Sequence, residues 1–120
     1  MYHSFEDLEV WKLGCRLAVE VSRCLVKPRE YFVRDQMQRA ALSIPSNVAE
    51  GSERDSKLDY TRFLRIAKDS AAELPTQCYV ASKLEILDKT EAARFTSECK
   101  EIASMLQGLI RAIGRAKSAT

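Results

Sequence analysis

The sequence predicts an all-α fold, an up-down-up-down antiparallel four-helix bundle built as one domain over residues 1–120. Apolar residues recur at steps of three and four in four separate segments, which is the period of a helix face. The connections near Pro28, over Ser52 to Asp55 and at Asp88 are only a few residues long, which makes successive helices antiparallel neighbours. No segment alternates with period two, and there is no Asn-Gly or Asp-Gly hairpin turn and no internal repeat. A chain of 120 residues buries one core, and 46% hydrophobic with 30% charged residues excludes both a disordered segment and a membrane span.

The first helix is expected over about residues 5–26. Ser4 and Asp7 resemble a capping box, and Leu8, Trp11, Cys15, Ala18 and Leu25 follow as an apolar seam. Val10, Leu13, Leu17, Val21 and Cys24 form a second seam, so this helix has more apolar surface than its own bundle covers. Trp11 suits either the core or an outer interface. Lys27, Pro28 and Arg29 stop the helix. The second helix, about 32–51, carries Met37, Ala40, Ala41, Ile44 and Val48 and ends at Gly51. Pro45 inside it removes a backbone donor and crowds the carbonyl four residues back, which predicts a kink over Ala41 to Pro45 or a break with Ser43 capping a restarted helix. The third, about 56–87, starts at Ser56 with Asp59 and aligns Tyr60, Leu64, Ala67, Ala71, Leu74, Cys78 and Ala81, with a second kink at Pro75. The fourth, about 90–115, follows Asp88 and Glu91 and aligns Phe95, Cys99, Ile102, Leu106, Leu109 and Ile113. Phe63, Ile66, Ile86 and Ile110 lie off these seams and add apolar surface that a subunit interface would bury.

Few chemistries fit the remaining residues. Cys15, Cys24, Cys78 and Cys99 are scattered through helical apolar patterns with no C-x-x-C pair and only His3 as an imidazole, so they read as small buried hydrophobes in a reducing compartment, and no metal or other cofactor is expected. The start of the chain, Met1 to Glu9, is polar and acidic and no long apolar stretch follows, so a cytoplasmic protein without a secretion signal is expected. One histidine, no Gly-rich phosphate loop and no E-x-x-H pair argue against an enzyme. Nineteen basic against seventeen acidic residues leave a net charge of +2, too near balance to indicate nucleic acid unaided. No acid follows Glu101, however, while Arg111, Arg115 and Lys117 do; cations suit a helix C-terminus, and the same three residues are the candidate nucleic-acid contacts.

The segment Gln36 to Gly51, QMQRAALSIPSNVAEG, is too unusual for generic bundle filler, because proline in mid-helix is rare. It resembles the pattern of the 23S rRNA intervening-sequence proteins, the S23 or four-helix-bundle protein family, at Arg39, Ser43, Pro45, Asn47, Glu50 and Gly51. FEDLEVWKLG from Phe5 to Gly14 and FLRIAKDSAAEL from Phe63 to Leu74 are similar to the family's start and third-helix motif, so the resemblance spans nearly the whole chain. Pro75 departs from the pattern, which puts the straightness of the third helix in question. The resemblance implies an up-down four-helix bundle assembled as a homopentamer, with no catalytic activity. The family is named for reading frames within intervening sequences of 23S rRNA genes and is similar to the accessory protein of diversity-generating retroelements, which implies a nucleic-acid or ribonucleoprotein partner.

Folding helices two and three about the Ser52 to Asp55 turn brings Arg39 near Asp69 and Glu73 and Asn47 near Tyr60, predicting an Arg39–Glu73 ion pair that sets the register of the two helices. Ser43 and Asn47 suit local bonds to backbone groups freed by Pro45, and Glu50 suits backbone donors at Gly51 or the Arg62 guanidinium. Arg39, Asn47, Glu50 and Arg62 make either a structural network or a polar ligand site at one end of the bundle. The expected function is that of a non-enzymatic oligomer presenting repeated basic surfaces to RNA, DNA or a ribonucleoprotein. The alternative is a self-assembling scaffold that binds another protein through apolar surface.

Overall fold

The computed structural model describes residues 5–25 and 31–115. A single 3-10 turn, Phe5–Asp7, leads into α1 (Glu9–Cys24), α2 (Tyr31–Ser52), α3 (Lys57–Lys83) and α4 (Lys89–Arg115), and no strand occurs among the described residues. The bundle is elongated, 53 × 20 × 19 Å. α3 packs extensively against both α2 and α4, whereas α1 touches α4 least. None of the described helices is long and apolar enough to cross a membrane.

The core is one continuous cluster running through all four helices, with Leu17, Met37, Ile44, Leu64, Leu74, Phe95 and Leu106 fully out of solvent. Each large aliphatic side chain buried in this way contributes about 1.5–3 kcal/mol. On α1 the core draws on both expected seams: Val10, Leu17 and Val21 of the second and Leu25 of the first are buried together with Gly14, while Leu13 and Cys24 of the second and Trp11, Cys15 and Ala18 of the first are only half-buried. Gly14 lets α1 approach the middle of α2; a Cβ there would stand 3.2 Å from Ile44 Cγ2 and 3.3 Å from Pro45 Cδ. Trp11 lies at the edge of the core with Phe5 edge-on against it, ring centroids 5.2 Å apart. On α4 the seam turns after Leu106 onto Ile110, so Leu109 and Ile113 are half-buried and Ile110 belongs to the core.

Neither proline ends its helix. α2 runs unbroken through Pro45, which is itself buried against Gly14, so Ser43 caps no restarted helix. α3 likewise runs through Pro75. It stops at Lys83 rather than Leu87, because the chain turns there through Glu85 at φ 60°. Ile86 N–H donates to the Ala81 carbonyl at 2.9 Å and Glu85 N–H to the Ser82 carbonyl at 3.1 Å, the pair of bonds that closes a helix in a Schellman motif.

The starts of the helices follow local chemistry to different degrees. Ser56 caps α3, its Oγ accepting from the Asp59 N–H at 3.0 Å. At α4 the Asp88 Oδ1 accepts from the Thr90 N–H at 3.4 Å. α1 has Leu8 at its N-cap and no side-chain cap; the preceding 3-10 turn leads into it, with Leu8 N–H donating to the Phe5 carbonyl at 3.0 Å. Ser4 of the expected capping box and the Lys27 to Arg29 stop lie outside the described residues.

Candidate functional site

Basic residues concentrate on the face shared by α3 and α4. Successive helical residues turn by about 100°, so Lys89, Lys100, Arg111 and Arg115 fall within one sector of α4 about 80° wide. All four are exposed, and the same sector holds only Ala93, Ser97, Ser104 and Gln107 besides. The α4 acids lie elsewhere: Glu91 and Glu98 turn towards α1, and the exposed Glu101 stands just beyond the sector. Arg65, Lys68 and Lys83 lie on the α4 side of α3, while Asp69 and Glu73 sit further round towards α2. Lys68 Nζ donates to Gln107 Oε1 at 2.6 Å across the two helices, which fixes their register and places Arg65 and Arg111 one turn further on.

Between α3 and α4, towards their connecting turn, lies a groove of about 490 Å³. Pro75, Tyr79, Ala92 and Ala93 supply its apolar surface, Ser82, Thr96 and Ser97 its hydroxyls, and Lys83, Lys89 and Lys100 its charges, with no carboxylate in the lining. Arg111 and Arg115, read from the sequence, thus extend a longer tract whose other members the sequence reading missed. The signal was available in the helical spacing of Lys89, Lys100 and Arg111, but the net charge conceals it. Lys117 lies outside the described residues.

The residues expected to form one polar network on α2 and α3 are instead held by mostly local partners. Asn47 Nδ2 donates to the Ser43 carbonyl at 2.8 Å and to Ser43 Oγ at 2.9 Å, and Ser70 Oγ donates to Ser43 Oγ at 2.9 Å, tying α3 to α2. The carbonyl that Pro45 deprives of its donor belongs to Ala41, four residues back, so the Asn47 bond does not replace that contact. Glu50 pairs with Arg54 at 3.3 Å, and Arg62 with Asp59 at 3.3 Å. The expected Arg39–Glu73 pair does not form: Arg39 is exposed, and Glu73 accepts from Gln77 Nε2 on its own helix at 2.8 Å. Local partners one turn away win because ordering two long side chains across an exposed gap costs entropy that a surface ion pair scarcely offsets.

The most connected polar cluster joins α1 to α4. Arg94 binds Glu20 of α1, Glu91 at 2.6 Å and Glu98 at 3.1 Å, and its guanidinium lies 4.7 Å above the Phe95 ring. Cys24 Sγ donates to Glu91 Oε2 at 3.3 Å, and Arg16 reaches Glu98 at 4.0 Å. The Arg94 bond, then the Cys24 bond, hold the Glu91 carboxyl below its ordinary range. The Cys24 thiol is pushed up to about 11 by desolvation and by its bond to Glu91. Burial raises Cys78 to about 11 and Cys99 to about 12, so these thiols are neutral core groups rather than nucleophiles. Among the described residues no three or more His, Cys, Asp or Glu side chains are grouped to hold a metal ion.

A family model described as 23S rRNA-intervening sequence protein matches residues 6–108. Among solved structures, the chain is similar to a protein of unknown function from the S23 ribosomal protein family of Bacteroides thetaiotaomicron. The TM-score is 0.77 at 23% identity, covering 84% of this chain and 97% of that one, which establishes a shared fold. No curated protein matches. With the four-helix bundle in place and the match running from the first turn to the last helix, the chain belongs to the 23S rRNA-intervening sequence protein family.

Proposed function

We propose that this chain is a non-catalytic, self-associating protein that binds RNA, alone or within a ribonucleoprotein, through the basic α3–α4 face. The observation that carries this reading is the exposed sector of α4 holding Lys89, Lys100, Arg111 and Arg115 without a carboxylate. At about 1.5 Å per residue these cations extend over about 39 Å, and each phosphate they neutralise releases counterions. The membership of the family is compatible with such a partner, though a shared fold alone does not set function.

Self-association is supported on the opposite side of the bundle. Val19 and Leu42 stand 48% and 59% exposed beside a groove between α1 and α2 that Ala18, Ser22, Arg23 and Gln38 also line. Copies meeting through this side would leave the α3–α4 faces outward, and a homopentamer would repeat the basic tract with a gain in avidity. The same exposed apolar residues favour a second reading, a scaffold for another protein.

The test is fluorescence anisotropy with labelled oligoribonucleotides across a salt series, using a Lys100→Glu, Arg111→Glu, Arg115→Glu variant. Binding by the wild type is expected to fall steeply with salt, and the variant to lose most affinity and to flatten the slope by about 0.7–0.9 per phosphate contact removed. Unchanged affinity and slope would reject this face. Salt-insensitive association with a protein would favour the scaffold.

A further inference from the structure

We propose that the groove between α3 and α4 is a single-strand site, in which an unstacked nucleobase packs on Tyr79 while Lys83, Lys89 and Lys100 hold the flanking phosphates. This rests on the RNA-binding reading of the face and adds the form of nucleic acid it takes. Tyr79 is 64% exposed, the aromatic group of a lining whose other apolar members are Pro75, Ala92 and Ala93. The small alanines leave room beside the ring, and a volume of about 490 Å³ falls within the range of small-ligand sites, enough for one base with its sugar.

The charges are placed to match. Lys83 Nζ lies over the Tyr79 ring, 5.4 Å from its centroid, a cation–π contact that a base stacking on that face displaces, moving the ammonium towards the base's own phosphate. Lys89 and Lys100 face it from α4 on the other wall. A neighbouring hollow at the connecting turn shares Lys83 and Lys89 but adds Glu85 and Asp88. Those carboxylates repel a phosphate chain at that end, so the strand leaves the groove the other way, towards Lys68 and Arg111. Ser82, Thr96 and Ser97 offer hydroxyls to base edges or to a ribose 2′-OH.

A duplex hides its base faces in its own stack and can use only the lysines, whereas a single strand can use the lysines and Tyr79 together. Stacking of one base on an aromatic side chain is a sequence-tolerant interaction whose loss corresponds to roughly 5- to 150-fold in affinity.

The experiment compares Tyr79→Ala, Tyr79→Phe and the triple charge-reversal variant by anisotropy with a labelled uridine oligonucleotide, a deoxyuridine oligonucleotide of the same length and an RNA hairpin duplex. Circular dichroism checks the fold of each variant, and light scattering its mass. Tyr79→Ala is expected to weaken single-strand binding within the range above and to leave duplex binding unchanged, with Tyr79→Phe close to wild type. Preference for uridine over deoxyuridine strands would assign the hydroxyls to the ribose; equal affinity would restrict the site to base and phosphate, and both support it. Loss of binding on charge reversal with no effect of Tyr79→Ala, or an equal effect on duplex, overturns the single-strand site and spares the broader reading. Indifference to charge reversal rejects both. Dissociation of the assembly by Tyr79→Ala would make the groove a contact between copies of the chain and overturn the proposal.

Discussion

Gly51 is buried where the end of α2 meets the start of α3, and a Cβ on it would come within 2.9 Å of Phe63 Cβ and 3.1 Å of the Tyr60 carbonyl oxygen. Gly51→Ala is therefore expected to destabilise the protein by about 1–3 kcal/mol despite alanine's higher helix propensity. Gly108, in the interior of α4, has nothing within 4 Å of such a Cβ, so Gly108→Ala is expected to stabilise by about 0.5–1 kcal/mol. Denaturant midpoints of the two variants, moving in opposite directions, check the close approach. Gly14 and Pro45, in two of the segments that carry the family resemblance, show the same logic: the missing side chain at Gly14 lets α1 pack close against Pro45 of α2. The sequence marks these residues as special without saying which neighbour they admit, because that depends on the face each helix turns inward. The cysteines give a pH dependence. Cys24, Cys78 and Cys99 have folded values near 11 to 12 against 9.0 for the free thiol, so their contribution is complete below pH 9 and is lost as the pH rises through the folded values. Urea unfolding followed from neutral pH upwards is expected to show declining stability above pH 9, and a Cys78→Ala, Cys99→Ala variant a shallower decline.

Helix ends separate what local sequence specifies from what it leaves open. Ser56 caps α3 as its side chain dictates, but the end of that helix depends on Glu85 in the left-handed region, where glycine is the usual choice and no glycine signals the stop. Glu85→Gly removes the cost of placing a Cβ there and is expected to raise stability by about 1 kcal/mol, measured as a denaturant midpoint. The α1–α4 seam shows the same limit across two helices. The spacing of Glu91, Arg94 and Glu98 is legible on α4, but Glu20 enters only once α1 lies alongside. Arg94→Met leaves Glu20, Glu91 and Glu98 facing one another and is expected to lower the unfolding midpoint at neutral pH. The Glu91 carboxyl is held low, so its contribution is present above 4.5 and is lost as the pH falls through its depressed value. The gap between Arg94→Met and wild type is therefore expected to narrow in acid, where the Glu91 carboxyl is protonated in both.

At the scale of the molecule, the four helices and their antiparallel order were legible because the apolar period and short connections constrain them together. The basic face was legible only at its C-terminal end. Arg111 and Arg115 stand out as cations after the last acid, whereas Lys83, Lys89 and Lys100 become one surface only when α3 and α4 are placed side by side. Two exposed faces of different character, apolar at Val19 and Leu42 and basic opposite, predict a mass above that of the monomer by light scattering, and Val19→Lys with Leu42→Lys is expected to lower it while leaving the helical content unchanged. α1 has 16 residues against 27 in α3 and in α4, and it meets α4 least, across a seam that carries the Arg94 cluster. A short element bound by fewer packed side chains detaches at lower free energy than the rest. A subglobal opening in which α1 swings away while α2, α3 and α4 stay paired is therefore expected, read as α1 amides exchanging with deuterium ahead of theirs and as protease cleavage in α1 before the remaining chain unfolds.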